Sequence, residues 1–220
     1  MHESVFVTAE LRQRFRMAWN ESRVLFFSAP CGCGKTAQTR LLLRGRSVVA
    51  VHASDAPIEP EEISPDCDVL LVDDLPQMKD ARAQQALCDL IRQRTELHFV
   101  LLSRGVLPGW LMPFQFAGSL TAFSMEQLML DQVTAQKVLE ASGILPDEQE
   151  MHQIQQDLGG YPVALQLLSR CMQGRKYSAE VFTDVKRDLF RYYDEAVFRR
   201  FAPPLRSLLM ELAPFDSFDA

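Results

Sequence analysis

Long apolar runs, paired cysteines and surplus positive charge are all missing from this sequence. No stretch of the 220 residues approaches the ~20 consecutive apolar positions of a membrane-spanning helix, so no membrane partner is expected. Met1-His2-Glu3-Ser4 has no basic region leading into an apolar one, so no secretory leader is expected and the expected compartment is the cytoplasm, as the unpaired cysteines also suggest. The five cysteines (Cys31, Cys33, Cys67, Cys88 and Cys171) are odd in number and show no CxxC spacing. Zinc frameworks and disulfide scaffolds are therefore not expected, and reduced thiols are. A formal net charge of −6 leaves no general footprint for a phosphate backbone, so no nucleic acid is expected on this segment. Internal repeats and low-complexity tracts are absent too. With 47% apolar residues, the chain can bury a full core of one large domain plus a smaller one.

What is present is a phosphate-binding loop. Ala29-Pro30-Cys31-Gly32-Cys33-Gly34-Lys35-Thr36 follows the apolar run Val24 to Phe27 and precedes Ala37 to Leu43, which has helical apolar spacing. A strand, a glycine-rich turn and a helix N-terminus in that order make an anion site, because backbone N–H groups and the helix dipole converge on one point. Gly32 and Gly34 occupy the tight part of the loop, although Ala29 stands where the usual pattern begins with Gly. Lys35 would place a point charge on the β and γ oxygens, and the Thr36 hydroxyl would ligate Mg²⁺. The nucleotide-contacting set read here is Gly32, Cys33, Gly34, Lys35, Thr36 and Ala37, and the ligand expected is ATP or ADP with Mg²⁺. Cys31 and Cys33 raise the further idea of a redox switch, since a helix N-terminus lowers a thiol pKa; small side chains tolerated in a tight loop is the plainer reading.

Around the loop, strands alternate with helices. Leu11 to Trp19 reads as an amphipathic helix. Ser47 to His52 reads as a second strand, buried on both faces by its unalternating β-branched character. Ala53 to Pro65 is loop-like, Asp68 to Asp74 a third strand, Asp80 to Arg94 a helix, His98 to Arg104 a fourth strand and Gly118 to Phe123 a fifth. This is an α/β pattern: a parallel doubly wound sheet of about five strands. From Ser124 only helices follow, the first opened by a capping box of Ser124 with Gln127. Others are expected over 131–142, 147–158, 162–173, 184–201 and 205–212. The layout predicted is a nucleotide-binding α/β domain over 1–123, a small helical domain over 124–176 and the start of a third domain over 177–220.

Hydrolysis of ATP needs a metal held opposite the phosphates and a group that orients water. Asp73 and Asp74, closing a strand of four apolar residues, fit both: Asp73 as Mg²⁺ ligand, directly or through water, and Asp74 as water-positioning group. An acidic turn before Pro76 is the competing reading. Arg104 closes the next strand and so lies on the same sheet edge, where ligands of such sheets sit. An arginine there can contact a γ-phosphate and distinguish ATP from ADP. The catalytic set read from sequence is therefore Lys35, Asp73, Asp74 and Arg104, with Thr36 and Asp73 on the metal. By residue chemistry alone, Gly159-Gly160-Tyr161-Pro162 is a helix start.

Together these segments resemble the nucleotide-binding module of the signal-transduction ATPases with numerous domains (STAND). Within it they look most like the ATP-dependent, maltose-activator-like LuxR-type transcriptional regulators. The resemblance rests on Ala29 to Thr36, Asp73-Asp74, Ser103-Arg104 with Pro108, Leu120 with Phe123-Ser124 and Glu126, and Gly160-Tyr161-Pro162 with Leu165. It implies that Pro162 packs on the adenine base and that Tyr192 to Phe215 open a winged-helix domain. Departures fall at Thr8-Ala9-Glu10-Leu11, where the family has Arg-x-Arg-Leu, at Ala37 in place of a second Thr, and at Leu75-Pro76 in place of aromatic-His. No helix-turn-helix reader or sensor repeat is visible, so the chain corresponds to a piece of a longer regulator or to one without those modules.

The function implied is a regulatory switch: ADP holds the domains closed, while ATP and an inducer (small molecule or protein) favour an open, self-associating state that slow hydrolysis resets. Three other classes compete. An AAA+-like remodelling ATPase usually pairs Asp with Glu. A small-molecule kinase would need an Arg-rich lid that is not seen. Asp73 and Asp74 argue against a nucleotide-holding scaffold without hydrolysis but leave it as an alternative.

Overall fold

The computed structural model describes residues 5–60 and 63–213. The readings placed on Met1 to Ser4 and on the end of the third segment, 214–220, lie outside these residues. Five parallel strands form one sheet: β1 (Val24–Ser28), β2 (Val48–His52), β3 (Val69–Asp73), β4 (His98–Ser103) and β5 (Leu120–Phe123), in the spatial order β2-β3-β4-β1-β5. In register, Val24 faces Phe99 of β4 on one side and Leu120 of β5 on the other. The interior strands are continuous apolar runs because both faces of the sheet are covered. Alternation then sends Val24 and Phe26 into one core and Leu25 and Phe27 into the other.

The first of these cores is closed by α3 (Ala81–Gln93), whose Ala83, Leu87 and Ile91 share one face, and by the turn around Leu111. The second is closed by α1 (Ala9–Glu21) through Leu11, Phe15 and Ala18, and by α2 (Lys35–Leu42). Each large side chain removed from water here contributes about 1.5–3 kcal/mol. β2 departs from expectation. Its residues alternate between exposed and half-exposed, because it is an edge strand with neither face fully covered.

Beyond β5 the chain is helical: α4 (Met112–Phe116) precedes that strand, and α5 (Met125–Leu128), α6 (Gln132–Ala141), α7 (Glu148–Leu158), α8 (Pro162–Cys171), α9 (Ala179–Ala196) and α10 (Pro203–Leu212) follow. The capping box at Ser124 and Gln127 forms as expected, and Asp147 with Glu150 makes a second one at the start of α7. A third core joins Leu130, Leu139, Ile154, Leu165 and Leu168 to Val181 and Val185 of α9. No helix among the described residues is long and apolar enough to cross a membrane.

Candidate functional site

The carboxyl edge of the sheet meets the start of α8 in a cleft of about 430 Å³, a volume ordinary for small-ligand sites. Loop 29–34 turns into α2 through Gly32 at φ +87° and Gly34 at φ +75°, both in the left-handed region that glycine adopts without strain. At Gly32 the space is also closed: a Cβ there would sit 2.6 Å from Tyr161 Oη and from Val163 Cγ1. Sequence and packing thus ask for the same residue, and the loop backbone stays narrow in front of the α2 N-terminus.

Lys35 opens α2, and its Nζ donates back to the carbonyls of Ala29 and Pro30, the latter at 2.9 Å. Burial pushes the Lys35 amine below its ordinary value, against the pull of Cys33, Cys31 and Asp73. The Thr36 hydroxyl donates to Asp73 Oδ2 at 2.9 Å, while Asp73 Oδ1 accepts from the Asp74 amide at 2.8 Å. The two oxygens expected to share a cation are therefore adjacent. Asp74 has φ +57°, the sole positive φ outside glycine among the described residues. Backbone held in that region clusters at functional sites. Arg104 Nε lies 3.5 Å from Asp74 Oδ1, so the cation at the end of β4 reaches the carboxylate at the end of β3 across the cleft.

The structure brings Gly32, Gly34, Lys35, Thr36, Ala37, Asp73, Asp74, Arg104 and Pro162 to this one cleft. Cys33 is the exception: its side chain is fully buried and does not line the cleft, which leaves only its backbone for a ligand. Burial also raises the Cys33 thiol, outweighing the nearby Lys35, so this thiol is not the activated one the redox idea requires.

Pro162 is the first residue of α8, and the next amide, Val163 N–H, donates to Gly32 O at 3.1 Å, tying the helical half directly to the loop. Beside Pro162 a smaller cavity of about 50 Å³ shares Gly34, Ala37, Pro162 and Gln166 with the main cleft and is walled by Phe6, Leu130 and Val138. Gln38 reaches it from α2. Its Nε2 donates to Cys33 O at 3.0 Å and Leu128 O at 2.9 Å, and its buried Oε1 has no partner. Turning the amide round would set an oxygen against two carbonyls, so the orphan is an acceptor.

Two further contacts were not read from sequence. His52 ends β2 opposite Asp73 and lines the cleft; its place at the carboxyl end of a parallel strand was the available signal. Tyr192 and Tyr193 of α9 reach the loop as well. Tyr192 Oη lies 2.9 Å from Cys31 Sγ, and the Tyr161 hydroxyl donates to Cys31 O while Tyr193 hydrogen-bonds to that hydroxyl. Burial drives the Tyr161 and Tyr192 hydroxyls well above the ordinary tyrosine value, so they remain neutral.

No family model matches this chain, and no curated protein matches it by sequence. Solved structures do match. The Walker-type ATPase of Pyrococcus abyssi superposes with TM-score 0.60 at 11% identity, over 98% of this chain and 77% of that one. A RuvB variant of Thermotoga maritima gives 0.57 at 12% identity, over 94% and 83%. The STAND protein with a tetratricopeptide repeat sensor from Pyrococcus horikoshii gives 0.56 at 13%, over 97% of this chain but 35% of that one. At these identities the shared feature is architecture. The chain has the fold of the P-loop ATPases, with the glycine loop, the Asp-ended strand and the Arg-ended strand on one edge of a parallel sheet.

Proposed function

We propose that this chain is an ATP- and ADP-binding switch module with slow Mg²⁺-dependent hydrolysis. The observation that carries the reading is the Thr36–Asp73 contact, set directly beside Lys35 at the N-terminus of α2. The residues present fit a magnesium nucleotide. Gly32 and Gly34 keep the loop open to a pyrophosphate, Lys35 and the α2 amides face its charge, and Thr36 with Asp73 offers two oxygens to a hard cation. When bound, Mg²⁺ neutralises charge developing on the phosphates. Lys35 then leaves the Ala29 and Pro30 carbonyls for phosphate oxygens, Asp74 positions water, and Arg104 exchanges Asp74 for the γ-phosphate. That exchange supplies a contact present with ATP and absent with ADP, which a switch requires.

The proposed layout is an α/β part over 1–123 and a helical part from 124 that meet at Pro162. α9 shares the core of the helical part through Val181 and Val185, so the third, winged-helix-type domain proposed over 177–220 would begin past that packing, at α10. Exposed Leu205, Leu208, Leu209 and Met210 on α10 suit such a domain, whose packing they would join. On this basis the chain corresponds to the nucleotide module of a STAND-class, LuxR-type bacterial regulator working in the cytoplasm. ATP would promote self-association, and an inducer would act on the whole protein.

The test is equilibrium binding of Mg-ADP and Mg-ATP with nucleotide analysis of the purified protein and single-turnover hydrolysis. Asp73→Ala should remove the magnesium dependence, and Lys35→Ala should weaken both nucleotides about tenfold to a hundredfold, the worth of a charge-assisted bond. Arg104→Ala should weaken ATP more than ADP. Absence of binding to either nucleotide refutes the proposal. A remodelling ATPase is the competing reading; ATP-driven ring assembly with turnover well above ~1 s⁻¹ would select it.

A further inference from the structure

The net charge of −6 conceals a strong segregation. Residues 5–54 carry eight Lys and Arg against two acids, Glu10 and Glu21. The fold gathers four of those arginines at the amino edge of the sheet, the edge opposite the cleft. Arg12 and Arg16, one turn apart on α1, face Arg44 and Arg46 in the turn after α2 around a cavity of about 370 Å³ floored by Phe15, Leu41 and Leu42. Among the described residues none of the four forms an ion pair. Arg46 is also held in place: its guanidinium lies 3.9 Å from the Trp19 ring centre, and Nη1 donates to Leu42 O at 3.4 Å. Trp19 in turn stacks on His98 at 3.8 Å.

Like charges one turn apart on a helix repel, and a second pair across a concavity adds to that cost. An arrangement of this kind is favourable when an anion occupies it. Guanidinium forks match phosphoryl oxygens in geometry as well as charge. The cavity has the volume of a small-ligand site. Outside residues 5–54 the chain is strongly acidic, which repels an extended polyanion but leaves a compact one free to enter.

We propose that this pocket is a second ligand site, for a small anion carrying two or more phosphoryl groups. It sits at the far end of α2 from Lys35, one helix of eight residues or about 12 Å away. The proposal does not depend on nucleotide binding in the cleft.

The experiment is calorimetric titration of tripolyphosphate into the full chain saturated with Mg-ADP and, separately, into Lys35→Ala. One saturable, salt-sensitive event is expected in both. The pair Arg12→Gln with Arg16→Gln should weaken it about tenfold or more for each guanidinium removed. Arg44→Gln, in an exposed turn whose loss leaves the cores intact, should weaken it similarly, with Arg191→Gln as the unaffected control. Binding unchanged by these variants, or lost in Lys35→Ala, overturns the site. So does a single-stranded oligonucleotide that binds through these arginines when tripolyphosphate does not. A protein that takes up no nucleotide yet passes the Lys35→Ala arm sinks the switch reading and keeps this one.

Discussion

Gly160 is fixed by geometry on two counts. Its φ is +70°, and a Cβ there would lie 1.9 Å from Leu130 O, whose own amide accepts no slack because Leu130 N–H donates to Gly160 O at 2.8 Å. Neighbouring Gly159 shares the left-handed φ, at +58°, but has open space where a Cβ would go. The left-handed backbone alone costs a side chain about 1–2 kcal/mol. Gly159→Ala should therefore lower the thermal midpoint by roughly 2–8 °C for a chain of this size, and Gly160→Ala by distinctly more, as read by thermal denaturation. Equal losses would mean that the contact with Leu130 relaxes at no cost.

His98 carries a pH signature. Burial beside Trp19 holds its imidazole below the ordinary value, opposed by its hydrogen bond to Trp19 O, with Arg46 and Arg23 adding to the depression and Asp68 resisting it. Above the unfolded value near 6.5 both states are neutral and the group is silent. As pH falls through that value the unfolded chain takes up the proton first, and stability is lost until the lower folded value is passed. Thermal midpoints measured from about pH 8 to about pH 5 should fall less in His98→Gln than in the parent, across the histidine range. Parallel curves would assign the acid sensitivity to other groups.

At the scale of elements, the interior strands were legible because burial on both faces writes a continuous apolar run, as in Val24 to Phe27 and Val69 to Val72. The same signal overstated β2, since β-branched residues report strand propensity at an edge as well as in the centre. α4 was not visible: Pro108, Gly109 and Pro113 crowd the segment that forms it. α9 begins earlier than expected, at Ala179, because the Ser178 hydroxyl caps it, and ends earlier because Val197 leaves helical geometry at φ −129°. Its contact with the loop lay furthest from sight, since Tyr192 and Cys31 are 161 positions apart and no local pattern relates them. That contact has a consequence. If α9 clasps the loop over a bound diphosphate, Tyr192→Phe with Tyr193→Phe should speed ADP release about twofold to tenfold per hydrogen bond lost, since each contributes about 0.5–1.5 kcal/mol. Stopped-flow displacement of a fluorescent ADP measures it, and an unchanged rate would make the tyrosines packing groups alone.

For the whole molecule, most of the cleft residues were legible because three strand ends, those of β1, β3 and β4, each lead from an apolar run into polar residues; Pro162 came only with the family resemblance. Convergence of those ends is a property of parallel topology, which strand–helix alternation announces. The arginine cavity was hidden by the same arithmetic of net charge that left no nucleic acid expected, because totals erase segregation. The two halves of the chain are linked through Val163 N–H to Gly32 O, through Pro162 beside Gly34, and through Tyr161 to Cys31 O. A nucleotide held by both halves should therefore stabilise them as one unit. At about one hundred times its Kd a ligand adds about 2.7 kcal/mol. At roughly 2–4 °C per kcal/mol the midpoint should rise by about 5–11 °C with Mg-ADP. A single transition that moves as a whole is expected, and Lys35→Ala, binding tenfold to a hundredfold more weakly, should cut the shift to about 1–6 °C at the same ADP concentration. Two transitions, of which ADP moves only the first, would mean that α8 folds independently of the loop and that Pro162 does not contact the base.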